Sequence, residues 1–147
     1  MVTLEAILER NNLNRAYKQV KANRGGPGVD GMTVDELLDY LRAHAVEIVE
    51  TVKAGKFKPQ PVRRVMIPKE EKGKFRPLGI PAVDRVIQQV IAQKLSDEYE
   101  PVFSLHSHGF RPCRSCRTAI DEALDIANQG YVWVVDLDLS KFFDTVN

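Results

Sequence analysis

The sequence predicts an α+β fold: several amphipathic helices packed with one antiparallel β-hairpin and followed by a core strand. Three observations carry this. Apolar residues recur at helical spacing in four stretches, as on one face of a 3.6-residue period. Two short β-prone runs flank the charged turn Pro68-Lys69-Glu70-Glu71-Lys72-Gly73-Lys74. A nine-residue run, YVWVVDLDL, has the aromatic and β-branched content of a buried strand.

Each element follows from local chemistry. Leu4, Ile7 and Leu8, then Leu13, Ala16, Tyr17 and Val20, predict a short helix, a break at Asn11-Asn12, and a second helix capped by Asn12. Gly25-Gly26-Pro27-Gly28 stops it, and a tight loop follows. Thr33 and Glu36 form a capping box, each side chain bonding the other residue's amide, which opens a helix. One face of that helix carries Val34, Leu37, Leu38, Leu41, Ala45, Ile48 and Val52. Val62 to Ile67 and Phe75 to Ile80 predict the hairpin, closed by Pro81. Val83, Val86, Ile87, Val90, Ile91 and Leu95 mark an amphipathic helix. Residues 101–114 read as irregular, and Ser115 to Gln129 as a helix ended by Gly130 in a left-handed conformation. The strand 131–139 then leads into one further helical turn. A core strand with nothing after it to pair with suggests a piece of a longer protein.

Composition narrows the function classes. The 147 residues, 44% hydrophobic and 28% charged, describe an ordinary globular chain, not a disordered one. No run approaches the roughly 18 apolar residues of a membrane span, and no leader opens the chain, so no membrane partner is expected. Two cysteines are too few for a disulfide scaffold, which favours a reducing, cytoplasmic setting. The net charge of +1 conceals an uneven layout. From Lys53 to Arg76 nine basic residues face only Glu70 and Glu71, a net of +7 in 24 residues, and the rest of the chain carries −6. Such a stripe is the footprint of a polyanion site, or else a solvated loop. The interleaved Phe57, Val62, Val65, Ile67 and Phe75 favour an ordered surface.

Three constellations could carry chemistry. Asp136 and Asp138 share one face of the last strand, with Cα atoms about 6.5–7 Å apart. That is too far to share one Mg²⁺ comfortably, so one of them is a metal ligand completed from elsewhere, or both form a solvated edge. Cys113 and Cys116 have the spacing of half a zinc site, with His108 and His106 five and seven residues earlier. The competing reading is two reduced thiols, Cys116 packing on a helix. Gly25, Gly26 and Gly28 do not make a phosphate loop, since no strand precedes them and no Gly-Lys-Ser/Thr follows.

Taken in order, four blocks resemble one family. PVRRVMIPK with KFRPLGIPAVDRVIQQVI, then FSLHSHGFRPCRS, then YVWVVDLDLSKFFDTVN are similar to the N-terminal part of the reverse transcriptase encoded by bacterial group II introns. AYKQVKANRGGPGVDGMTVDEL resembles the extension that precedes the fingers in that family. The resemblance implies a right-hand polymerase. Residues 1–32 would be the N-terminal extension, 33–130 the fingers, and 131–147 the start of the palm with its first catalytic motif.

It further implies RNA-directed DNA synthesis by two-metal nucleotidyl transfer, and a maturase role in intron RNA splicing. Asp138 would be the first catalytic aspartate, binding Mg²⁺ with help from the Leu139 carbonyl. Phe143 would crowd the nucleotide's 2′ position, and Lys69 and Arg76 would grip the incoming triphosphate. Arg111 would lie near the template, with Arg114 beside it. Lys53, Lys56, Lys58, Arg63 and Arg64 would meet RNA phosphates. The partners implied are group II intron RNA, a DNA target and primer, and deoxynucleoside triphosphates; a homodimer is left open. With one catalytic carboxylate, the 147 residues alone are expected to be inactive but RNA-binding. Two alternatives stand beside this: an RNA-binding module without catalysis, and the fingers of a non-intron bacterial reverse transcriptase.

Overall fold

The computed structural model describes residues 2–70, 72–81, 83–140 and 142–145, with the backbone alone for Phe143 and Asp144. In order, its elements are α1 (Leu4–Ile7), α2 (Arg10–Ala22), α3 (Leu37–Lys53), β1 (Arg63–Pro68), β2 (Phe75–Ile80), α4 (Asp84–Tyr99), a 3-10 turn (Glu100–Val102), α5 (Cys116–Asn128) and α6 (Phe142–Thr145). The chain divides into two compact units, Met1–Pro101 and Val102–Asn147. Helices with one two-stranded antiparallel sheet make the α+β class expected from the sequence. No helix among the described residues is long and apolar enough to cross a membrane.

The core of the first unit lies where α2 packs on α4. Ala16 and Val20 of α2 meet Val83, Val86 and Val90, and Leu37 closes the cluster from the first turn of α3. On α4 the inward stripe is 83, 86, 87, 90, and it continues to Gln93. Ile91 and Leu95, expected on that face, stand exposed on its flank. Ser115 caps α5 through a full box with Thr118, and Gly130 follows it at φ +97°, the left-handed stop expected there.

Three expectations are corrected. The break falls at Leu8-Glu9 and not at Asn11-Asn12, and Asn12 does not cap α2; it sits inside the helix, buried, and its amide donates to the carbonyls of Ile7 (2.6 Å) and Val90 (3.0 Å). Gln93 in turn donates to the Asn12 backbone carbonyl at 2.6 Å and to its side-chain oxygen. A buried amide so satisfied joins α1, α2 and α4. Asn12→Ala is expected to cost about 1–3 kcal/mol, because Gln93 and the Val90 carbonyl lose partners where water does not reach. A lowered urea midpoint at unchanged slope would show it. Next, the Thr33–Glu36 box forms by half: both the amide and hydroxyl of Thr33 donate to the Glu36 carboxylate (2.9 and 2.7 Å), and α3 begins only at Leu37.

The third correction concerns residues 131–139, which form no strand. They are irregular and exposed, Trp133 at 94% and Leu137 at 89%. A strand requires a neighbour for its amides and carbonyls. Among the described residues β1 and β2 pair only with each other.

Candidate functional site

The basic stretch is built on anchored backbone. After α3, Gly55 turns at φ +65°, and the amides of Lys56 and Phe57 both donate to the Thr51 carbonyl (2.9 and 3.1 Å). Further on, the Gln60 amide donates to the carboxylate of Asp84 at 2.6 Å, a buried residue that opens α4. Lys56 and Lys58 therefore stand exposed on a short segment held at both ends. Lys53 lies at the last position of α3, also exposed.

The hairpin pairs Arg63 with Ile80 through to Pro68 with Phe75. Side chains alternate between faces, and directly paired residues share one. Arg63, Val65 and Ile67 thus project to the same side as Arg76, the partner of Ile67, whereas Arg64 projects to the other. Beyond the strands the Lys69 amide donates to the Lys74 carbonyl (2.8 Å), and Gly73 at φ +83° supplies the left-handed step that closes the turn. At this end Pro68, Lys69, Glu70 and Arg76 line an open recess of about 460 Å³. The structure so brings Lys69 and Arg76 together. Among the described residues no acid pairs with Lys53, Lys56, Lys58, Arg63, Arg64, Lys69, Lys72 or Arg76. Their charge is available to a polyanion.

In the second unit Asp136, Asp138 and Leu139 lie on the irregular exposed segment. Among the described residues no group of three His, Cys, Asp or Glu is placed to hold a metal ion. Phe143's side chain lies outside the described residues. Cys113 and Cys116 are free and exposed, so Cys116 does not pack on a helix as expected.

The histidines turn instead to Glu122, a residue the sequence reading passed over. His106 Nδ1 bonds one carboxylate oxygen, and His108 Nε2 approaches the other at 2.6 Å. His108 Nδ1 faces the Thr118 hydroxyl at 2.8 Å, one turn earlier on α5. Arg111 is committed to its own loop: its guanidinium donates to the carbonyls of Ser104 (2.6 Å) and Ser107 (2.9 Å) and lies 5.3 Å from the centre of the Phe103 ring. Arg114 donates to the Leu105 carbonyl. The only sequence signal for Glu122 was its helical spacing from Thr118.

The bond from His106, and then that from His108, holds the Glu122 carboxyl below its ordinary range. A depressed folded value means that the contribution to stability is present above the unfolded value and is lost as pH falls through the folded one. The Glu122 carboxyl carbon shift is therefore expected to titrate below the ordinary glutamate range. A midpoint within or above that range would contradict the clamp.

The family described as reverse transcriptase (RNA-dependent DNA polymerase) matches residues 67–147. The group II intron-encoded protein LtrA of Lactococcus lactis subsp. cremoris is 38% identical over 133 residues, covering 90% of this chain and 22% of that protein. Protein YkfC of Escherichia coli K12 is 40% identical over 151 residues, 98% of this chain and 39% of its own length. The putative COX1/OXI3 intron 1 protein of Saccharomyces cerevisiae is 38% identical over 136 residues, 90% of this chain and 16% of that protein. The chain thus spans between about a sixth and two fifths of the length of these relatives. It belongs to the reverse transcriptase family.

Proposed function

We propose that this chain is the fingers and first palm motif of a group II intron-encoded RNA-directed DNA polymerase and maturase. In this reading 1–32 is the N-terminal extension, 33–130 the fingers and 131–147 the start of the palm. The observation that carries it is the pairing of Lys69 and Arg76 at one recess of the hairpin, within the segment matched by the family. Nucleotidyl transfer leaves a pyrophosphate, and two fixed cations beside the triphosphate offset the charge that develops on it. Group II intron RNA, a DNA primer and target, and deoxynucleoside triphosphates are the partners proposed.

The donors at the palm end suit a hard divalent cation. A carboxylate (Asp138) and a backbone carbonyl (Leu139) are both oxygen ligands of the type Mg²⁺ takes. Bound there, the metal would activate the attacking hydroxyl and steady the leaving group. Asp138 contributes anionic charge at that point, and the rest of the ligand shell comes from residues outside this pair. Phe143 excludes the 2′-hydroxyl of a ribonucleotide by bulk. Lys53, Lys56, Lys58, Arg63 and Arg64 meet RNA phosphates, and the template lies near the loop that Arg111 and Arg114 hold together.

Nucleotide kinetics test the assignment in a full-length protein carrying this segment. Lys69→Ala and Arg76→Ala are each expected to raise the deoxynucleotide KM about tenfold, the effect of removing one charge-assisted hydrogen bond. Phe143→Ala should leave that KM near its starting value and raise ribonucleotide incorporation. Unchanged KM in both hairpin variants would sink the placement of the triphosphate.

A further inference from the structure

We propose that Glu122 is a positioning residue for the template: through His106 and His108 it staples the loop 103–114 to α5, so that this loop meets nucleic acid already ordered. This rests on the polymerase reading above and adds to it a residue outside the expected site.

The loop has the chemistry of a nucleic-acid contact. From Pro101 to Ile120 there is no acidic residue, and within the loop Arg111, Arg114, His106 and His108 are interleaved with Phe103 and Phe110. Basic side chains among aromatic rings suit a backbone threading past with bases available to stack. Phe110 is fully exposed at φ +56°, a left-handed backbone conformation uncommon for a bulky residue.

Such a loop is effective only if it is ordered beforehand. Twelve irregular residues lose conformational entropy on ordering, and a segment fixed before binding avoids that loss on contact with its ligand. Two sets of bonds fix this one. Arg111 and Arg114 gather the carbonyls of Ser104, Leu105 and Ser107, closing the loop on itself. The histidines then attach it to the helix. The two oxygens of Glu122 go to two different rings, and Thr118 takes the second nitrogen of His108, so the loop is held at separate points and cannot pivot about one. Thr118 is itself oriented by the capping box with Ser115, with its hydroxyl donating to the Ser115 carbonyl at 2.9 Å. Two acids follow this acid-free stretch: Asp121 pairs with Arg117 (3.5 Å), and the charge of Glu122 is spent on the histidines instead of repelling phosphate.

The test compares Glu122→Ala, Glu122→Gln and His106→Ala in a full-length protein carrying this segment. Two readouts are needed: the Kd for an RNA template annealed to a DNA primer, and the KM for deoxynucleotide. Glu122→Ala should raise the primer–template Kd about tenfold, since two charge-assisted bonds are lost, with the nucleotide KM within about twofold of wild type. Glu122→Gln keeps an oxygen and an amide for the rings and should recover most of the affinity. His106→Ala, at a ring 75% exposed, should raise the Kd about threefold without lowering the melting temperature. If Glu122→Ala does not fold, the other two variants decide by themselves. An unchanged primer–template Kd in the folded variants overturns the proposal. So does a parallel rise in nucleotide KM, which would mark general damage. Should the wild-type protein bind primer–template without extending it, the polymerase reading fails, yet the Kd comparison still decides the role of Glu122.

Discussion

Asp138→Ala in a full-length protein carrying this segment is expected to abolish DNA synthesis, by at least about 10³-fold, while RNA affinity stays within about twofold. The size follows from the chemistry. A metal that stabilises developing negative charge contributes several kcal/mol to the transition state, and a neutral methyl in place of its anionic ligand removes that contribution. The selectivity follows from charge, because Asp138 is an anion and its replacement removes none of the exposed cations between Lys53 and Arg76. Asp136→Ala should be milder, since it removes a neighbouring charge without removing the ligand. Primer extension retained by the Asp138 variant would contradict the assignment outright.

The second large effect concerns RNA itself. Replacing Lys56, Lys58, Arg63 and Arg64 by alanine in the 147-residue chain should weaken binding to structured RNA by at least about 10²-fold at low salt. It should also flatten the dependence of log Kd on log salt by about three, because each phosphate contact contributes about 0.7–0.9 through counterion release. The hairpin register refines this expectation. Arg63 lies on the face of Arg76 and Arg64 on the opposite one, so a single flat RNA surface cannot use both equally. Single substitutions at 63 and 64 are therefore expected to differ in slope. Equal binding by wild type and the quadruple variant would make the stripe a solvated face.

Much of the fold was legible because it is local. Helical periodicity placed α1, α2, α4 and α5, and the β-prone runs placed the hairpin to within a residue, since spacing and turn chemistry act over a few positions. The features that escaped depend on distant partners. Asn12 reads as a cap in a short window, but its amide reaches Val90 and Gln93, about 80 residues away. Residues 131–139 have the composition of a strand, yet composition supplies no neighbour to pair with. Ile91 and Leu95 keep the helical period but fall on the flank of the buried stripe, which packing against α2 sets at 83, 86, 87, 90 and 93. At the site, Lys69 and Arg76 were named by the family resemblance alone; the hairpin register then sets both at one recess. The clasp of Glu122 on His106 and His108 was not, since an irregular loop folds it together across 14 and 16 residues.

RNA-templated primer extension by a full-length protein carrying these residues tests the central claim most directly. With a DNA primer on an RNA template, deoxynucleotides and Mg²⁺, the account predicts processive extension that chelation stops and that ribonucleotides do not support. Salt-sensitive RNA binding without any extension would contradict it, leaving an RNA-binding module with a polymerase ancestry.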